Sequence, residues 1–211
     1  MNYKCIIFDC DGVLVDSETI SNQVVVDLAN SYGANITLEY AIQHFAGTSL
    51  SYVKSHIEEL IQQDLPDNFE KDYRRISFER FQQDIQPIQG ITELLDELTI
   101  PFCVASNGPL NKMKLNLELT GLLHYFKGNL FSAYEIKKWK PDPTLFLYAA
   151  KTMGFQPKDC LVIEDSISGI KAAKSGGFDV FAFTNKHKKE VFEKENVPSF
   201  SSMKAIRDAL K

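Results

Sequence analysis

The sequence predicts an α/β protein built on a doubly wound parallel sheet, with an all-helical segment inserted after the first strand. Three observations predict it. Four short runs of strand length, Cys5–Phe8, Phe102–Ala105, Cys160–Glu164 and Asp179–Phe183, show little polar alternation, as strands covered on both faces do. Apolar residues at three- and four-residue spacing fill most of the intervals between them, and such alternation of strand and helix gives a parallel sheet. From about Ser17 to Asp84 the alternation stops, and the chain reads as helices alone.

Taken in order, the first strand follows directly on Met1-Asn2-Tyr3-Lys4. No basic region, long apolar stretch and small-residue cleavage site precede it, so export is not expected. The helical stretch divides into Ser17–Tyr32, Leu38–Phe45, Leu50–Asp64 and Asn68–Gln83, with hinges around Val15-Asp16 and Pro87-Ile88-Gln89-Gly90, where Pro and Gly punctuate the chain. This places a core domain at residues 1–15 and 87–211 and a helical domain at 16–86. Beyond the second hinge, Ile91–Leu98, Pro143–Met153 and Ser166–Ser175 carry the helical period. No internal repeat or low-complexity segment interrupts the pattern.

With 44% hydrophobic and 24% charged residues in 211, the chain is of ordinary globular composition. A formal charge of −5 supplies no field for a nucleic-acid backbone, and the run Lys186–Lys189 reads as solvated surface. The longest apolar stretches, such as Leu145–Ala150, fall far short of the ~20 residues that span a membrane. Cys5, Cys10, Cys103 and Cys160 lie in or beside apolar runs without ligand spacing, which predicts buried free thiols and a reducing compartment. A cytoplasmic monomer with a small-molecule partner, and neither nucleic acid nor membrane, is the expectation. His44, His56, His124 and His187 are scattered and take packing or surface roles, and Trp139 is expected to pack against the core.

In a doubly wound sheet, ligands gather at the carboxyl ends of the strands. The first strand ends in Asp9-Cys10-Asp11-Gly12, where residues two apart on an extended chain face the same way. The second stops at Ser106-Asn107-Gly108, which offers a hydroxyl, an amide and backbone N–H groups. Lys140 lies in Trp139-Lys140-Pro141-Asp142-Pro143, where two prolines stiffen the backbone around a cation. Another strand delivers Glu164-Asp165. Asp9, Asp11, Glu164 and Asp165 then face one positive charge, that of Lys140. At ~4 Å and an effective dielectric of ~20, each like-charge pair costs on the order of 4 kcal/mol. Either carboxyl pKa values rise or a hard divalent ion binds, and oxygen-only donors without His or Cys favour Mg²⁺ over zinc.

In order and spacing these four stations resemble the haloacid dehalogenase superfamily, in particular the beta-phosphoglucomutase-like subgroup with a helical cap after the first strand. A closer likeness, through Val104–Pro109, Asn111–Met113, Leu123–Phe126, Leu130–Ser132 and Trp139–Pro143, is to the bacterial 6-phosphogluconate phosphatases. The resemblance implies an α/β core of Rossmann-like winding, a helical cap over residues 16–86, and Mg²⁺-dependent hydrolysis of a small sugar or sugar-acid phosphate such as 6-phosphogluconate. It implies Asp9 as nucleophile and Asp11 as general acid and base. Ser106, Asn107 and Lys140 then bind the phosphoryl oxygens. Asp9, the backbone carbonyl of Asp11, Asp165 and, directly or through water, Glu164 hold the metal. Gly47, in Phe45–Leu50, falls in the loop that dips toward substrate.

Sugar-phosphate mutases of the subgroup carry a Lys, an Arg and a His where this chain has Ala46, Leu50 and Ser21. Those losses argue against a mutase, which must grip a second phosphate. The same Lys is found in 6-phosphogluconate phosphatases, so Ala46 also bears on the substrate. A dehalogenase needs neither the second acid nor the Glu164-Asp165 pair. A phospho-accepting receiver module is shorter and has no helical insertion.

Overall fold

The computed structural model describes residues 3–45, 48, 50–184 and 190–211. Six strands form one parallel sheet in the order β3-β2-β1-β4-β5-β6, where β1 is Cys5–Phe8, β2 Phe102–Ser106, β3 Leu130–Ser132, β4 Cys160–Glu164, β5 Asp179–Phe183 and β6 Ser199–Phe200. The predicted fold class is the one observed. β1 sits centrally, paired with β2 through Ile6↔Phe102 to Phe8↔Val104 and with β4 through Cys5↔Cys160 to Phe8↔Ile163.

Every residue of β1 is fully buried, as continuous apolar runs require when both faces are covered. Cys5 and Ile7 point into a core shared with Cys103, Cys160, Leu145, Phe146 and Ile170. On the opposite side Phe8 packs edge-on against Phe102 and Phe126. The four thiols are free and buried. The helices that follow or separate these strands are α5 (Ile91–Glu97), α6 (Leu110–Leu119), α7 (Leu123–Phe126), α8 (Ala133–Ile136), α9 (Thr144–Met153), α10 (Ile167–Ser175), α11 (Glu190–Glu193) and α12 (Met203–Leu210).

Between β1 and α5 the chain forms four helices, α1 (Glu18–Ser31), α2 (Leu38–Phe45), α3 (Leu50–Ile61) and α4 (Phe69–Asp84). They have their own core of Val25, Val26, Ala29, Ile36, Ala41, Phe45, Val53, Ile57 and Phe69. The chain divides into two compact units, Met1–Val15 with Gln86–Lys211, and Asp16–Ile85.

Three expectations need correction or completion. β3 and β6 were not anticipated as strands, because three and two residues are too short to show a pattern. Trp139 does not pack into the core: it is 44% exposed, edge-on to Tyr134 at 5.5 Å. Gly47, Ala46 and the basic run Lys186–Lys189 lie outside the described residues. None of the described helices is long and apolar enough to cross a membrane.

Candidate active site

Asp9 leaves the end of β1 with its backbone N–H donating to Ile163 O at 2.9 Å, so the sheet itself fixes its Cα. Its carboxylate is buried and accepts from Lys140 Nζ at 2.6 Å. The chain then turns sharply: Gly12 N donates to Val15 O, and Leu14 N to Cys10 O, both at 2.9 Å. Gly12 has φ +81°, and a Cβ there would stand 1.8 Å from Asp165 Oδ2. Only glycine lets the loop after β1 close against Asp165.

At the end of β2, the Ser106 hydroxyl accepts from Gly108 N at 3.0 Å, and Ser132 from β3 donates to Gly108 O at 2.7 Å, locking the loop. Asn107 reaches across to Lys140, accepting its backbone N–H at 2.9 Å and donating to its carbonyl at 3.5 Å. Lys140 is thereby held on both sides of its Cα, next to the cis bond to Pro141. Its ammonium, 2% exposed as a side chain, donates to Asp9 Oδ1 at 2.6 Å and to Glu164 Oε1 at 2.7 Å, and lies 4.7 Å from the centre of the Phe146 ring. Burial works against that charge, but Asp9 and Glu164 more than offset it, so the Lys140 pKa is raised.

Glu164 closes β4, and its second oxygen accepts from Ser166 N at 2.6 Å and Ser166 Oγ at 2.9 Å. Ser166 is also the N-cap of α10, accepting from Gly169 N at 3.1 Å. A Cβ on Gly169 would fall 1.8 Å from Glu164 Oε1. Since Lys140 and Ser166 pin that carboxylate, it cannot step aside. Gly169→Ala is expected to destabilise the fold by about 1–3 kcal/mol, as overpacked sites do. A thermal midpoint within 1 °C of wild type would show that Glu164 yields.

Asp9, Glu164 and Asp165 each offer a buried carboxylate oxygen, and these lie within 4.8 Å of one another. Such a set fits a hard divalent cation. The electrostatics point the same way. Burial, with the charges of Glu164 and Asp11 added and Lys140 opposing, pushes the Asp9 carboxyl up to about 7. In the metal-free protein Asp9 keeps its proton over a pH range in which an unfolded carboxyl, near ~4, has lost it. Stability from this group is therefore complete below pH ~4 and lost as pH rises through about 7. A cation reverses the penalty. Mg²⁺ is expected to raise the melting temperature clearly more at pH 8 than at pH 5, as calorimetry would show; equal shifts at both would contradict the arrangement.

The structure adds a cation that the sequence reading missed. Lys112, in the first turn of α6, donates to Asp11 Oδ1 at 2.9 Å from 101 residues away. With all four acids ionised, Lys112 and Lys140 would leave an excess of two negative charges among Asp9, Asp11, Glu164 and Asp165. Ser132, Ser166 and Gly169 were also not foreseen as supports.

The chain has relatives among known proteins. The profile of the haloacid dehalogenase-like hydrolases matches residues 3–177. The chain belongs to this hydrolase family. Over 185 residues it is 34% identical to the 6-phosphogluconate phosphatase of Escherichia coli K12, a match covering 85% of this chain and 82% of that protein. A haloacid dehalogenase-like protein from Agrobacterium tumefaciens has TM-score 0.91 at 30% identity, covering 99% of this chain and 97% of that one. A family hydrolase from Deinococcus radiodurans, solved with bound phosphate and sodium, has TM-score 0.86 at 25% identity, covering 99% and 95%.

In this haloacid dehalogenase-like hydrolase, Asp9, Lys140, Glu164 and Asp165 come together as the sequence suggested, and Ser106 and Asn107 flank them. The Asp11 carboxylate stands apart from the three-acid group, turned to Lys112.

Proposed function

We propose that the chain is a Mg²⁺-dependent phosphatase that hydrolyses a small sugar or sugar-acid phosphate, such as 6-phosphogluconate, through a phospho-aspartate on Asp9. The observation that carries this reading is the buried group of Asp9, Glu164 and Asp165 gathered around Lys140 at adjacent strand ends. The relatives named above support a phosphoric monoester as substrate. Asp9, Asp165 and the Asp11 carbonyl would hold the metal. Glu164, whose oxygens already accept from Lys140 and Ser166, completes the charge. Bound magnesium supplies neutralising charge between an anionic nucleophile and an anionic phosphate.

An Asp9 oxygen bonds to phosphorus as the ester P–O bond breaks, and Asp11 gives its proton to the departing oxygen. Water then attacks the phosphoryl group, Asp11 takes the water's proton, and the bond to Asp9 breaks to release inorganic phosphate. The Ser106 hydroxyl and the second amide hydrogen of Asn107 donate to phosphoryl oxygens alongside Lys140. In this reading the helical unit is a cap that selects the leaving group.

A mutase is disfavoured by the helical unit itself. Its cavity of about 150 Å³ is lined by Glu18, Ser21, Asn22, Val25, Phe45, Thr48, Leu50, Val53 and Tyr73, with no Lys or Arg among the described residues. Ser21 and Leu50, both in this lining, stand where mutases of the subgroup carry a His and an Arg. The test is Asp11→Asn assayed on esters of graded leaving-group pKa. A loss of ~10²–10⁴-fold on poor leaving groups, shrinking on aryl phosphates, is expected of a general acid. Equal rates across the series would remove Asp11 from that role.

A further inference from the structure

We infer that Lys112 recognises a negative charge on the leaving group, so that this site prefers phosphate esters of hydroxy acids over esters of neutral polyols. The inference rests on the phosphatase reading above and deepens it.

The two site lysines are not equivalent. Lys140 is wedged between two carboxylates with 2% of its side chain exposed, so its ammonium has one hydrogen left, for the phosphoryl group. Lys112 has 21% of its side chain exposed and bonds to Asp11, itself 31% exposed. Lys112 is thus the more accessible cation, and it sits on the residue that faces the leaving oxygen.

An acid that protonates a leaving oxygen lies within ~2.7 Å of it. The Lys112 ammonium is 2.9 Å from an oxygen of that acid. The leaving oxygen therefore lies within about 6 Å of Nζ if Asp11 uses that oxygen, and within about 8 Å if it uses the other. A lysine's flexible four-carbon stem covers such distances. Gly108 keeps the approach clear: a Cβ there would stand 3.3 Å from Ser106 Oγ, 3.5 Å from Asp11 Oδ2 and 3.9 Å from Lys112 Cδ. The Ser106 hydroxyl, the Asp11 carboxylate and the stem of Lys112 thus border one position where the chain has no side chain.

The charge balance decides what Lys112 is suited to hold. A neutral polyol gains nothing from an ammonium that water does not offer. A leaving group with its own carboxylate meets a site already rich in acids, and Lys112 gives it a charge-assisted hydrogen bond. This places a selective cation in the α/β unit.

The test uses a matched pair, 6-phosphogluconate and glucitol 6-phosphate, which differ only in carboxylate against hydroxymethyl at the far carbon. Wild type is expected to show the higher kcat/KM on the acid. Lys112→Met should lower the acid-to-polyol ratio by ~10-fold, mainly through KM for the acid, and Lys112→Arg should retain it. A ratio that stays unchanged in Lys112→Met while both rates fall would overturn the inference and leave Lys112 as an orienter of Asp11. So would a wild-type ratio near one. Failure of the underlying phosphatase reading is separable, because it appears as aryl phosphate hydrolysis surviving in Asp9→Asn.

Discussion

Asp9→Asn is expected to lower Mg²⁺-dependent phosphate release from an aryl phosphate by ~10⁴-fold or more, as loss of a covalent nucleophile does. The substitution keeps the shape of the side chain while replacing one carboxylate oxygen with an amide NH₂ and removing the charge, so the protein should still fold. It should also remove one of the carboxylates crowded around Lys140, which leaves that lysine with Glu164 as its charged partner among the described contacts. A second signature therefore accompanies the first. The metal-free variant should lack the decline in stability toward pH 7 that Asp9 imposes on the wild type. Turnover above a few per cent of wild type would refute the assignment of Asp9 as nucleophile.

Lys140→Met is the counterpart with the largest expected effect on stability. Removing the cation leaves Asp9 and Glu164, 8% and 1% exposed, buried and facing each other. Breaking a buried pair by deleting one partner costs about 3–5 kcal/mol. For a chain of this size that is roughly a 10 °C fall in melting temperature. Activity should fall ~10²–10³-fold, the usual effect of losing one donor to the developing charge. Mg²⁺ should recover part of the stability and little of the rate. A melting temperature within 2 °C of wild type would mean that the two acids take up protons without strain.

Much of this was legible because the central strands are buried on both faces. Cys5–Phe8 and Cys160–Glu164 have no polar side to hide, so their boundaries appear directly as apolar runs. The same strands end in acids, and acids directly after a buried run stand out. β3 and β6 did not stand out, because a sheet edge of two or three residues has no period. Lys112 was hidden for a different reason. It lies on a helix rather than at a strand end, and its partner is 101 residues away. The support given by Ser166 to Glu164 was equally hard to see, since the same serine reads as an ordinary helix cap. Trp139 was misplaced because a large aromatic ring is usually buried, whereas this one is exposed and edge-on to Tyr134.

The acid cluster hangs from β1 and β4, two neighbouring strands with a further strand on each outer side. Amides in such interior strands open only when the whole sheet opens, whereas the short edges β3 and β6 fray at lower cost. Deuterium should enter the edges first and reach the backbone beneath Asp9 and Glu164 last. The chemistry therefore rests on the slowest-exchanging part of the molecule, so adaptation to a substrate falls to side chains and connecting turns rather than to the platform beneath them.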